Sequence, residues 1–257
     1  MAREWETRPV HLAGNQRPQD DEYYRGLNDY FARSAGTPVD KLRAFPKYVP
    51  VAELGRFVAR SRMFERIVDV PGSIVECGVF GGAGLMTWAA LSAILEPLNH
   101  VRRVIGFDTF AGFVAPGARD AAPAENPDAV AGGLAADTKA DIERSVQLFD
   151  LYRPLGHIPK VELVAGDALQ TIPRYLEENR HLVVSLLYLD FDLYEPTRCA
   201  IEQLVPRMPK GAILAFDELN HRAWPGETLA LLDTLGIRGV RLERFTFQPQ
   251  ISFACLD

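Results

Sequence analysis

Seven acids stand at or beside the ends of apolar runs in this sequence: Glu76, Asp108, Asp167, Asp190, Asp192, Asp217 and Glu218. Asp190 and Asp192 are two apart, so they share a side if a strand continues through them. Asp217 and Glu218 are adjacent and converge only where the backbone turns. Carboxyls packed together repel and raise one another's pKa unless a cation joins them. Oxygen-only donors suit Mg²⁺ or Ca²⁺ rather than zinc, and Mg²⁺ keeps positions open for water or substrate oxygens. Asp190, Asp192, Asp217 and Glu218 are therefore read as a Mg²⁺-dependent reaction site, against the plainer reading of helix caps and surface acids. His221 follows closely, as a base or ligand if it is not a packing residue.

Val75–Gly84 (VECGVFGGAG) is a glycine-rich turn after an apolar run. Glycines let a ligand approach the backbone, and a following helix presents free N–H groups. The dinucleotide pattern GxGxxG is broken: no glycine lies two residues after Gly78, and Gly82/Gly84 lacks the third. The layout Glu76, Gly78, Gly82 resembles the first motif of class I S-adenosylmethionine-dependent methyltransferases. That cofactor has a cationic sulfonium and an amino-acid tail, and Glu76 suits the tail ammonium. Asp108, at the next strand end, suits paired ribose hydroxyls. Gly166 and Asp167 would border the adenine. The alternative makes the glycines plain turn residues and Asp108 a helix N-cap.

These residues need a sheet to align them. Apolar runs at Ser73–Val79, Val101–Phe107, Val161–Ala165, Leu182–Leu189 and Ala212–Phe216 read as strands, with helices over Leu85–Leu98, Arg198–Met208 and Trp224–Leu235. The alternation predicts an α/β fold with a doubly wound parallel sheet, whose carboxyl ends face one crevice. Val240–Phe247 and Ile251–Leu256 predict a terminal antiparallel pair, turning at Gln248-Pro249-Gln250. Helical patterns from Asp21 and over Val51–Val68 predict an N-terminal helical extension, residues 1–70, before a catalytic domain at 71–257. Ala111–Asp137, rich in Ala, Gly, Pro and Asp, reads as a mobile lid spanning about 111–140.

Composition narrows the classes. The 257 residues are 47% hydrophobic and 24% charged, ordinary for a globular chain. A net charge of −6 without basic runs argues against a nucleic-acid partner. Three cysteines in no metal or disulfide pattern, a polar first fifteen residues and no long apolar run predict neither secretion nor membrane insertion, with the cytoplasm as default.

SIVECGVFGGAG, GFDTFAGF, YLDFDLYEPT and AFDELNHRAWPGE, in this order, resemble the macrocin O-methyltransferase family, as does KLRAFPKY at Lys41–Tyr48. The resemblance covers roughly residues 40–257. It implies a class I methyltransferase Rossmann-like fold. It implies transfer of a methyl from S-adenosylmethionine to a (deoxy)sugar hydroxyl of a glycosylated natural product, a small-molecule acceptor. It places Mg²⁺ on Asp190, Asp217 and Glu218, the last where many members carry aspartate. Asp192 is then the general base, with Asp190 the alternative, and Tyr48 lies near the substrate. A homodimer or higher homo-oligomer is implied as well. A catechol-type methyltransferase acting on an aromatic diol uses similar chemistry and is the competing reading.

Overall fold

The computed structural model describes residues 17–121 and 126–257. The polar N-terminus read above, 1–16, and residues 122–125 of the Ala/Gly-rich segment lie outside the described residues. The chain forms two compact units, Met1–Leu54 and Gly55–Asp257.

In the N-terminal unit, α1 (Pro18–Arg33) and α2 (Pro38–Arg43) are joined by a short turn. Thr37 caps α2: its hydroxyl accepts from Asp40 N–H, and Asp40 accepts from Thr37 N–H. The Lys41 ammonium donates to the Phe31 and Ala32 carbonyls, tying down the free end of α1. Tyr48 is buried here, stacked on Tyr30 with ring centroids 5.4 Å apart.

In the second unit a seven-stranded sheet runs β3-β2-β1-β4-β5-β7-β6. Its strands are β1 (Ser73–Cys77), β2 (Val104–Asp108), β3 (Val161–Ala165), β4 (Val184–Leu189), β5 (Ile213–Phe216), β6 (Glu243–Phe245) and β7 (Gln248–Cys255). The first five pair in parallel, and β7 runs antiparallel to β5 and β6. Side-chain alternation splits the core between the two faces. Val75, Cys77, Leu187, Leu189, Leu214 and Phe216 face one layer, formed by α6 (Ala168–Glu178), α7 (Tyr194–Leu204) and α8 (Gly226–Thr234). Ile74, Leu186, Tyr188, Ile213 and Ala215 face the other, with α3 (Val51–Ile67), α4 (Ala83–Leu95) and α5 (Lys139–Tyr152). Burial on both faces is why the inner strands read as largely apolar runs, broken by Glu76 in β1 and Ser185 in β4.

Two expectations shift. The terminal hairpin turns at Thr246-Phe247, not at Gln248-Pro249-Gln250. Pro249 lies inside β7 where the pairing with β6 slips register, the place where a strand tolerates a residue with no N–H. Helices α5 and α6 also emerge; the glycine and strand signals around them had left both unread. Among the described residues no helix is long and apolar enough to cross a membrane.

Candidate active site at the carboxyl edge of the sheet

The five parallel strands end level. Gly78 N–H donates to the Phe107 carbonyl (2.9 Å), Asp190 N–H to Cys77 (2.8 Å), Asp217 N–H to Leu189 (3.0 Å) and Gly166 N–H to Asp108 (2.9 Å). One residue past each strand, the ladder therefore sets Gly166, Gly78, Asp190 and Asp217 along a single edge. Glycine is required at 78. Its φ is +91°, and a Cβ there would lie 1.9 Å from the Asp190 carbonyl oxygen. The glycine turn and the acid cluster thus share one backbone contact.

The glycine turn leads from β1 into α4. Gly82 opens α4 with φ +80°. Glu76 is fully sequestered beneath the turn, and a Cβ on Gly84 would lie 2.2 Å from its Oε1. Burial pushes the Glu76 carboxyl up to about 7 against the pull of the Arg60 guanidinium. Its Oε2 has no hydrogen-bond partner, which fits a carboxylate waiting for an ammonium. Asp108 holds three backbone amides: its Oδ2 accepts from Val79 N–H (2.7 Å) and Phe80 N–H (2.9 Å), and its Oδ1 from Phe110 N–H (2.7 Å). Gly166 bends with φ +131°, and Asp167 caps α6, accepting from Leu169 N–H at 3.0 Å.

The acids divide between the two faces of the sheet. β5 ends at Phe216 without a turn that would bring Asp217 and Glu218 together. Asp217 continues the Ile213, Ala215 side and meets α3. Arg56 Nη1 donates to both its oxygens (2.9 and 2.8 Å), and the Tyr188 hydroxyl donates to Oδ1. Although buried, Asp217 is held below the usual carboxylate range by Arg56 and Arg60. Glu218 points to the α8 side, where the Asp192 carboxyl stands within hydrogen-bonding reach. Burial, then the Glu218 charge, pushes Asp192 well up; burial pushes Glu218 to about 7. Asp190 is also pushed well up, by burial and then by Asp217.

Asp192 does not sit on a continuing strand as its spacing from Asp190 suggested. β4 stops at Leu189, and Asp192 has φ +62°, a left-handed turn that aspartate tolerates better than most residues. His221 lies on the loop after β5, its Nδ1 buried and unpartnered. Tyr48 belongs to the N-terminal unit, where its hydroxyl and that of Ser34 lie 3.0 Å apart.

Sequence reasoning missed three groups. Arg56 and Arg60, four apart on α3, share the stripe of Ala59, Met63 and Phe64, a signal that they point inward. Arg60 lies over the rings of Tyr188 (5.0 Å) and Trp88 (5.9 Å). Glu227, in the first turn of α8, is wholly buried, and its Oε2 accepts from Glu218 N–H at 3.2 Å.

The donor set fits a hard divalent cation in its chemistry: only oxygens, five carboxyls (Asp190, Asp192, Asp217, Glu218, Glu227) of which Asp190 and Asp217 feel both Arg56 and Arg60, and two buried oxygens, Glu218 Oε2 and Glu227 Oε1, without partners. Among the described residues no three such side chains already converge as a metal shell.

The described parts of the Ala/Gly-rich segment pack over the loops that carry these acids. Ala121, Ala129 and Trp224 are buried together, with Phe113 edge-on to Trp224 at 5.7 Å. Asn126 donates to the Ala223 carbonyl (3.0 Å), and Asp120 accepts from Tyr194 N–H (2.8 Å).

Known proteins fit this geometry. The family model "Macrocin-O-methyltransferase (TylF)" matches residues 58–231. The crystal structure of CalS11, a calicheamicin methyltransferase, is 32% identical with a TM-score of 0.86, covering 93% of each chain. The apo structure of CalS11, described as a TDP-rhamnose 3'-O-methyltransferase of calicheamicin biosynthesis, is 31% identical with a TM-score of 0.81, covering 96% of this chain and 99% of that one. The O-methyltransferase NovP shares the fold at 20% identity, with a TM-score of 0.62 over 79% of each chain. No curated protein matches the sequence. With more than half its length matched by the family model and the sheet order and glycine turn in place, the chain belongs to the macrocin O-methyltransferase family and is an S-adenosylmethionine-dependent O-methyltransferase.

Proposed function

We propose that the protein methylates a hydroxyl of a (deoxy)sugar borne by a natural product or its precursor, with Mg²⁺ as cofactor. The observation that carries this reading is the group of buried, under-compensated carboxyls one backbone contact away from the cofactor turn. S-adenosylmethionine supplies a methyl on a cationic sulfonium, so the protein's share is largely placement. Glu76 would hold the tail ammonium, Asp108 the ribose, and Gly166–Asp167 the adenine edge. Asp190, Asp217 and Glu218 would hold Mg²⁺, which would supply Lewis-acid polarisation of the acceptor oxygen. Asp217 would do so at the expense of its contact with Arg56. Asp192 would then take the hydroxyl proton: burial, then the Glu218 charge, pushes its carboxyl well up, which strengthens it as a proton acceptor. Tyr48 is proposed to face the acceptor, segment 111–140 to cover it, and the chain to work as a homodimer.

A nucleotide-linked sugar is the second acceptor reading, favoured by the likeness to the CalS11 structure described as a TDP-rhamnose methyltransferase. Incubating the protein with S-adenosylmethionine and either TDP-deoxysugars, glycosylated macrolides or aromatic diols, with mass spectrometry of the products, separates the readings. One added methyl on the sugar fragment is expected, lost in excess chelator and restored by Mg²⁺. Asp192→Asn should lower kcat by about a hundredfold with cofactor affinity intact. Methylation of the aromatic diol alone, or full turnover in chelator, refutes the corresponding part.

A further inference from the structure

Glu227 is a wholly buried carboxylate that the reaction as drawn does not use. It stands in the first turn of α8, between two residues that each fix a loop of the site. Before it, Gly226 lies so close to the chain after β4 that a Cβ would meet the Asp192 carbonyl oxygen and the Tyr194 nitrogen, both at 2.5 Å. After it, Thr228 Oγ1 accepts from Asn220 N–H at 2.8 Å. Glu227 Oε2 accepts from Glu218 N–H at 3.2 Å, and Oε1 is buried without a partner. Three consecutive residues of α8 thus join the Asp192 loop to the Glu218 loop.

We propose that Glu227 is a positioning residue of the methyl-transfer site: by holding the Glu218 amide it fixes the loop after β5, and with it the place of the Glu218 carboxyl beside Asp192. The inference rests on reading Asp192 and Glu218 as acids of the reaction site. The hydrogen bond is buried, and it gives the Glu218 amide its acceptor from α8. Burial, then the charges of Asp190, Glu218 and Asp217, make an ionised acid here unfavourable, and the contact with the Glu218 amide works the other way.

Two conservative variants separate reach from charge. Glu227→Gln keeps the acceptor and its length but loses the charge; Glu227→Asp keeps the charge but is one methylene short. Each is compared with wild type in kcat, in affinity for S-adenosylhomocysteine, and in amide hydrogen exchange over 216–222 without ligands. Positioning predicts Glu227→Gln within about threefold of wild type in kcat, and Glu227→Asp down by about tenfold or more with unchanged S-adenosylhomocysteine affinity. Exchange at Glu218 should be about tenfold faster in Glu227→Asp alone. The reverse order of activity, or equal exchange in the two variants, overturns the proposal. If wild type methylates no sugar, the functional reading fails in the wild-type assay, and the exchange comparison still decides whether Glu227 holds the Glu218 loop.

Discussion

The pair Arg56–Asp217 offers the sharpest quantitative test, because Asp217 is the only acid of the cluster held below its usual range. Arg56 Nη1 reaches both carboxylate oxygens within 2.9 Å, and the two side chains are 13% and 2% exposed. Removing one partner of a buried pair leaves an uncompensated charge and costs about 3–5 kcal/mol. Here Tyr188 and Arg60 remain beside Asp217. The lower end, about 3 kcal/mol, is therefore expected for Arg56→Met at neutral pH. In a unit of this size that lowers Tm by about 6–12 °C. Asp217→Asn strands the arginine instead, and the double variant removes both charges. Urea denaturation of the four proteins without metal should give a coupling energy of about 2 kcal/mol or more. The penalty should also shrink on acidification. In wild type the contribution of Asp217 is present above pH 4 and fades as pH falls through its depressed folded value; in Arg56→Met the buried carboxyl takes up a proton at higher pH and the penalty relaxes sooner. A coupling below about 0.5 kcal/mol, or a penalty that does not change between pH 7 and pH 4, would refute the pairing as an energetic unit.

Glu76 titrates in the opposite sense. Its folded value near 7 lies above the ordinary 4.5, so wild type loses stability as pH rises between those values, by about 3 kcal/mol at most. Glu76→Gln should therefore be more stable than wild type at pH 8, equal to it near pH 4.5, and defective in binding S-adenosylhomocysteine by calorimetry; equal stability at both pH values contradicts the burial argument. Gly78→Ala should lose cofactor binding and turnover together, with a stability loss above about 2 kcal/mol, since its Cβ has only the Asp190 backbone to move. Gly81→Ala, with nothing within 4 Å, should stay within about 0.5 kcal/mol in the same denaturation assay.

What the sequence shows and what it hides follow from which interactions are local. The parallel strands are legible because burial on both faces leaves apolar runs, and the acids are legible because each falls within two residues of a strand end: Glu76 inside β1, Asp108 closing β2, Asp167 two past β3, and Asp190 and Asp217 one past β4 and β5. The partition of those acids is not legible. Asp217 and Glu218 are neighbours in the chain, yet one answers to Arg56, 161 residues earlier, and the other to Glu227 on the next helix. Arg56 reads as one more charge on an amphipathic helix, and Glu227 as an ordinary acid of a helix first turn. Only the register of β5 against β4, with Asp217 N–H on the Leu189 carbonyl, turns the two acids to opposite faces. The condition on which Asp190 and Asp192 would share a side, a strand continuing through them, is not met, because β4 ends at Leu189 and Asp192 turns left-handed.

Strain at this edge bears on how any cofactor-site variant is to be interpreted. Non-glycine residues with positive φ follow four of the five parallel strands: Phe80 at +48°, Phe110 at +55°, Asp192 at +62° and Asn220 at +64°. Aspartate and asparagine tolerate that region, but a phenylalanine there costs about 1 kcal/mol or more and must be held. Asp108 does the holding for both, with one oxygen on the Val79 and Phe80 amides and the other on the Phe110 amide. The same carboxylate is thus both the proposed ribose acceptor and the clasp that shapes the proposed cofactor turn. Loss of cofactor binding in Asp108→Ala consequently cannot be assigned to the ribose alone. Asp108→Asn, which keeps one acceptor oxygen but makes the other group a donor facing amide N–H groups, should release one of the two phenylalanines. Faster exchange at Val79–Phe80 or at Phe110, measured before any ligand is added, identifies which one, and the residual affinity for S-adenosylhomocysteine then separates the turn from the contact.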